Sequence, residues 1–219
     1  MGGLEQMDVW QLTALAAALG WASGIRLYTV LFILGGLGFL NWIDLPGGLK
    51  LLAHPWVLTA SGFMFFVEFF ADKIPGIDTL WDAVHTFIRI PAGAALAASV
   101  FGDSSAAVGV AAAIIGGSLA AGSHIAKTGS RAVINASPEP FSNWAASFGE
   151  ELAVGTVLWL AYAHPIAALI VVGLMVLLMI WLIPKVWRFI RALLALLTGE
   201  GPTRPPARRE PDIKNGVDV

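Results

Sequence analysis

Apolar residues run along this chain in long stretches separated by short polar connectors. The first stretch covers residues 9–40 and is interrupted at Ser23-Gly24-Ile25-Arg26. Turn chemistry follows at Asp44-Leu45-Pro46-Gly47-Gly48. Pro55 suits the first turn of a second helix, which reaches about Ala71 and carries Glu68. Asp72-Lys73-Ile74-Pro75-Gly76 breaks it. The third element joins an amphipathic stretch, 77–90, to a short apolar one, 91–102, with a kink expected at Pro91. Asp82, His85 and Arg89 fall on one face of it.

Asp103-Ser104-Ser105 turns the chain into a fourth element, 106–134. Its first half is rich in small residues, and its second half carries Ser123, His124, Lys127, Thr128, Ser130 and Arg131. A loop closed by Pro138-Glu139-Pro140 precedes a fifth element, 141–163, which holds Asn143, Glu150 and Glu151. His164-Pro165 starts a sixth, ending in Lys185, Arg188 and Arg191. Residues 198–219, rich in Pro and Gly with mixed charge, read as a disordered cytoplasmic tail.

One crossing of a bilayer needs about 20 apolar residues. Residues 1–197 therefore predict one all-α membrane domain of about six transmembrane helices. Composition agrees: 57% of residues are hydrophobic and only 13% charged, against about 25% charged in soluble domains. A soluble enzyme is excluded. A net charge of -2 offers no basic surface for nucleic acid. The absence of Cys removes disulfides, thiolate metal sites and Cys nucleophiles. The opening residues lack a basic n-region, so no signal peptide is expected. Lys73, Arg89, Lys127, Arg131 and the Lys185-Arg188-Arg191 cluster fall on one side of a six-span layout, and Lys50 on the other. That bias predicts a multi-pass membrane protein with both termini in the cytoplasm.

The two halves echo each other. Leu19 to Ile25 aligns with Leu119 to Ile125, and the stretch around Glu68 with the stretch around Glu150. Units 8–102 and 106–197 would then be three-helix repeats, inverted in the membrane because three is odd. Inverted repeats with broken or re-entrant helices are a common transporter plan.

A charge within a bilayer costs about 2.5–3.5 kcal/mol on insertion scales, so each needs a reason. Arg26 lies deep in the first stretch. It is expected to bind an anionic group, to serve a proton or cation relay, or to lock the bundle by pairing with Glu68 or Glu150. Glu68 and Glu150, equivalent in the repeat, are expected either to meet and to carry protons or coordinate a cation, or to be boundary carboxylates in the headgroup zone, the reading that suits Glu151. Ser23, Ser123, His124, Lys127 and Arg131 complete the binding candidates. The basic stripe His124, Lys127, Arg131 follows helical spacing. It reads either as topological anchoring at a helix end or as phosphate recognition. Asp72, Asp78, Asp82 and His85 are the metal-ligand candidates, although capping by Asp78 and a solvated connector account for the same residues. Asp82 is also a candidate partner of Arg89 or Lys127. No Gly-x-Ser-x-Gly elbow, Walker loop or His-Glu-x-x-His motif is present.

Three stretches resemble an uncharacterised family of small bacterial polytopic membrane proteins. They are Gly20-Trp21-Ala22-Ser23-Gly24-Ile25-Arg26, the segment from Glu68 to Trp81, and the segment from Ser123 to Pro140. The resemblance covers about residues 8–195 and implies no activity. The plan alone is similar to small inverted-repeat carriers of polyprenyl phosphates, with no shared motif. The residues favour a small secondary transporter or ion-coupled permease with a buried Arg/Glu site. A translocase of an anionic lipid carrier, a non-catalytic scaffold and a metal-dependent enzyme on a lipid phosphate are the alternatives. No cofactor is expected. Membrane lipids, a small ion or anionic substrate, and further copies of the chain are the expected partners.

Overall fold

The computed structural model describes residues 7–74, 76–102, 104–136 and 140–197. The tail expected at 198–219 lies outside the described residues, as do Pro75, Asp103 and the loop at 137–139. Six α-helices and one 3-10 helix make up the described chain. They are α1 (Val9–Phe39), a 3-10 helix (Gly47–Ala53), α2 (Pro55–Ala71), α3 (Ile77–Val100), α4 (Ala106–Asn135), α5 (Pro140–Ala163) and α6 (Pro165–Leu197). Among the described residues there is no strand.

Local chemistry sets the ends. Asp8 caps α1 reciprocally with Gln11: the Gln11 amide donates to Asp8 Oδ1 at 2.7 Å, and the Asp8 amide to Gln11 Oε1 at 3.0 Å. Pro55 and Pro165 open α2 and α6, where a missing N–H costs nothing. Gly76, at φ 87, takes the left-handed turn into α3.

Four helices, α1, α3, α4 and Pro165–Ala192 of α6, are long and apolar enough to cross a membrane. The bent pair of 3-10 helix and α2, which meet at 69°, makes a fifth when counted as one span. The six expected elements are therefore present, while length and composition qualify four or five of them as spans. α5 fails because Glu150 and Glu151 interrupt its apolar run.

α1 is central. Its apolar window is 67% buried, against 17% for α6. α2, α3, α4, α6 and α5 follow one another around it, each packed on its neighbour. No comparable helix packing closes the ring between α5 and α2. There Phe69 meets Phe148 edge-on, with centroids 6.1 Å apart, and the Lys73 ammonium lies 2.9 Å from the Phe69 ring centroid. Packing does not by itself set up two equivalent repeats: α5 lies on α1, whereas α2 has no matching contact with α4.

Small residues let the backbones of α1, α3 and α4 touch. A Cβ on Gly24 would overlap the Ala120 carbonyl and the Ser123 hydroxyl, and one on Gly20 would lie 2.7 Å from Gly116 Cα. A Cβ on Gly116 would overlap that of Ala97. These small residues are thus used for close helix contact inside the bundle.

The molecule is inside out relative to a soluble protein. On α3, Asp78, Asp82, His85 and Arg89 are buried while Leu80, Val84, Phe87 and Ile88 are exposed. α2, α5 and α6 likewise present Phe66, Phe148, Leu152, Ile170, Leu174 and Ile180 outward. An apolar exterior over a polar interior is what a lipid solvent selects.

Candidate functional site

Arg26 breaks α1, with φ -146° and ψ 81° inside an otherwise continuous helix. The carbonyls just before the break face side chains of α4. Ser123 Oγ donates to the Trp21 carbonyl at 2.7 Å, and Lys127 Nζ to the Ile25 carbonyl at 3.1 Å. His124 Nδ1 lies 3.3 Å from the Gly24 carbonyl. The interruption read at Ser23 to Arg26 is therefore a broken helix whose end is satisfied by a neighbouring helix.

Around the break lies one continuous network of charge. Arg26 reaches Asp72 at 3.0 Å, Glu150 at 3.2 Å and Glu151 at 2.9 Å. Lys127 joins Asp72 at 2.9 Å, Asp82 at 3.3 Å and Glu150 at 3.6 Å. Arg89 holds Asp82 at 2.6 Å and Glu68 at 2.7 Å. Arg131 binds Glu150 at 3.0 Å and donates to the Asp72 carbonyl and to Asn143. Arg26, Arg89, Lys127 and Arg131 thus face Glu68, Asp72, Asp82, Glu150 and Glu151. All nine are buried except for partial exposure of Glu150 and Glu151. With every group ionised, five carboxylates face four cations within these ion pairs. Lys73, half-buried at the edge, donates to Ser147 Oγ, and Glu151 and Asp72 attract its ammonium, so the region as a whole holds five charges of each sign.

Among the described residues, Glu68 Oε2, Asp72 Oδ1 and Asp82 Oδ2 are buried with neither a hydrogen-bond donor nor an ion pair, while Glu150 Oε2 and Glu151 Oε1, also without a hydrogen-bond donor, are met by ion pairs to Arg26. A buried acceptor left without a donor costs about 1–3 kcal/mol, more when charged. A proton or a small cation on such an oxygen removes that cost.

Most binding candidates from the sequence converge here. Arg26, Glu68, Glu150, Lys127 and Arg131 join the network, and His124 and Ser123 adjoin it. Ser23 is buried but turns back to the Leu19 carbonyl of its own helix. Glu68 pairs with Arg89 rather than with Arg26. The expected partnerships of Asp82 with Arg89 and Lys127 are both formed.

Other expectations change. Lys127 and Arg131 are buried in ion pairs, so they are not anchors at a membrane surface. With Arg89 also inside, the charge bias for orientation rests on the α6 end. The stretch from Asp72 to His85 is no solvated connector, because all four candidate ligands are buried. Nor do those four gather at one point. Asp72 and Asp82 join the network, while Asp78 accepts from its own turn and from Asn135 Nδ2 at 2.9 Å. His85 Nδ1 lies 2.8 Å from the Trp81 carbonyl, and its ring stacks on Trp81. Among the described residues, no group of three or more His, Asp or Glu is placed to hold a metal ion.

Glu151, read from the sequence as a headgroup-zone carboxylate, pairs with Arg26 instead, and Asn143, Ser147 and Thr29 were not among the candidates. Ser147 accepts from Arg26 at 2.7 Å, and Thr29 donates to Glu151 at 3.2 Å. Asn143, Ser147, Glu150 and Glu151 follow helical spacing, and that shared face of α5 was the available signal.

Burial opposes ionisation of Asp72, but Lys127 and Arg26 override it and hold its carboxyl below the usual range. Burial, with Arg26 nearby, pushes the Lys73 ammonium below its usual range.

Two cavities lie under α6, one lined by network residues and one by His124 beside it. One, of about 180 Å³, has Lys127, Glu150, Ser123 and Ser130 at its polar end and Met175 and Leu178 on its apolar wall. The other, of about 300 Å³ between α3, α4 and α6, is lined by Thr86, His124 and Thr128 and walled by Val186 and Trp187. Thr128 Oγ1 is buried without a partner.

No curated protein and no solved structure matches this chain. One family model does, described as a domain of unknown function, DUF4126, and it spans residues 13–185. That span covers α1 to the middle of α6 and every charged residue of the network. The chain belongs to the DUF4126 family.

Proposed function

We propose that this protein is a small secondary transporter, an ion-coupled permease whose site is the Arg/Glu/Asp network at the break in α1. One observation carries the reading: a buried network of charge that leaves Glu68 Oε2, Asp72 Oδ1 and Asp82 Oδ2 with neither a donor nor an ion pair, beside a broken helix. A purely structural ion-pair cluster has no need of donorless buried carboxylate oxygens, since each is costly. An ion site does need them. The proposed setting is a bacterial inner membrane with both termini cytoplasmic, crossed six times when α5 and the bent α2 unit count as spans. Surrounding lipids and further copies of the chain are its proposed partners.

Translocation of an anionic, polyprenyl-phosphate-like lipid is the second reading. Lys127 at the polar end of the 180 Å³ cavity, below an apolar wall, favours it. Each network cation is already engaged by carboxylate, which leaves little positive charge for a phosphate, so the cation or proton reading has more support.

Thermal stability in detergent tests this choice, surveyed across monovalent cations, pH and lipid-phosphate head groups. Stabilisation of the wild type by a cation or by acidity, lost in Arg26→Gln, supports the permease. Stabilisation by phosphate head groups alone favours the lipid reading. A variant that simply melts lower, with no ligand response in either protein, assigns the network to structure.

A further inference from the structure

His124 lies where the second cavity, the break in α1 and the carboxylates of α3 meet. Its Nε2 is 2.7 Å from Thr86 Oγ1. Thr86 has one hydroxyl hydrogen, and with it on the Asp82 carbonyl at 3.0 Å the hydroxyl oxygen accepts from Nε2–H. Nδ1 has two neighbours of opposite kind, each at 3.3 Å: the Arg89 Nη1 donor and the Gly24 carbonyl acceptor. A bare Nδ1 suits Arg89 and leaves the Gly24 carbonyl unserved. A protonated Nδ1 suits Gly24 and loses Arg89. The surroundings satisfy both states in turn.

We propose that His124 is the proton-binding site of the bundle, loaded from the cavity between α3, α4 and α6. The inference rests on the permease reading and names its coupling ion as the proton. The charged groups facing His124 are Arg89 and Asp82 from α3 and Lys127 on its own helix. α1 offers the Gly24 carbonyl, and α6 lines the cavity with Ile183, Val186, Trp187 and Ile190, which do not titrate. When a proton binds Nδ1, the N–H formed donates to the carbonyl of Gly24, two residues before Arg26. The Arg89 contact is released, and Arg89 keeps Asp82 and Glu68. Loading thus tightens α4 onto the broken end of α1 and loosens it from α3. Loss of the same Nδ1 proton restores the neutral ring and the Arg89 contact.

Nitrogen NMR of histidine-labelled protein tests this, because the chain has only four histidines. The signal missing from His124→Gln identifies the residue. The wild type should pass from the Nε2–H tautomer to the doubly protonated ring as pH falls, and vesicle flux should follow the same curve. Thr86→Val should move the neutral-state proton from Nε2 to Nδ1, and that test does not need the His124 variant to be transport-competent. A His124 ring that stays neutral while flux changes with pH overturns the proposal, as does an unaltered flux profile in folded His124→Gln. Absence of any flux in the wild type contradicts the permease reading instead, and the NMR titration still decides His124.

Discussion

At the scale of the residue, Asp72 links α2 to the rest of the network. It binds both Arg26 and Lys127 from just beyond the end of its helix. Its carboxyl is held below the unfolded value of about 3.9, so its ionised form contributes stability above that value. The contribution disappears as pH falls through the lower, folded value. Melting curves should therefore show the wild type losing stability on acidification below about pH 4. Asp72→Asn should melt lower at neutral pH and show a flatter acid limb. An acid limb unchanged in the variant would place the titration elsewhere. Single buried charges were legible in the sequence, because Arg26, Glu68 and Glu150 stand out in apolar surroundings. Their partners were legible only in part: Arg26 was expected to pair with Glu68 or Glu150, and the Glu150 pair forms at 3.2 Å. Arg26 with Glu151, or Arg131 with Asn143, are contacts between distant segments, and no local spacing specifies them.

At the scale of the element, boundaries read well because helix signals are local. Pro55, Pro165 and the breaker from Asp72 to Gly76 set ends that the structure reproduces. The 3-10 helix at Gly47–Ala53 was missed, since Asp44 to Gly48 carries only turn chemistry. The break in α1 was foreseen at Ser23 to Arg26, and α4 explains how it is tolerated. This geometry needs Gly24, because α4 leaves no room for a Cβ there. Gly24→Ala should destabilise the bundle by roughly 1–3 kcal/mol, the usual cost of overpacking. Gly155 in α5 is the control, with open space around it. Gly155→Ala should be neutral or stabilising by up to about 1 kcal/mol, from helix propensity alone. Equal effects of the two, measured by thermal melting in detergent, would contradict the packing assigned to the α1–α4 crossing.

At the scale of the whole molecule, the inside-out pattern was legible in composition and is plain in the fold: apolar side chains face outward and charge lies within. The equivalence of the two halves was not carried through into packing, because the echoes between Leu19 and Leu119, or Glu68 and Glu150, specify similar helices and not similar neighbours. What the assembled bundle adds is one network drawing on five helices, α1 to α5, with α6 covering one cavity at Lys127 and Glu150 and another at His124. The central claim is that this network carries a mobile ion. Flux in sealed proteoliposomes with a trapped pH dye and an imposed potential tests it most directly, comparing wild type with Glu68→Gln. Gln keeps the oxygen that accepts from Arg89 and removes the ionisable group. The account predicts proton or cation movement in the wild type and its loss in a variant that remains folded. Equal flux in both, or none in the wild type under any gradient, would contradict it.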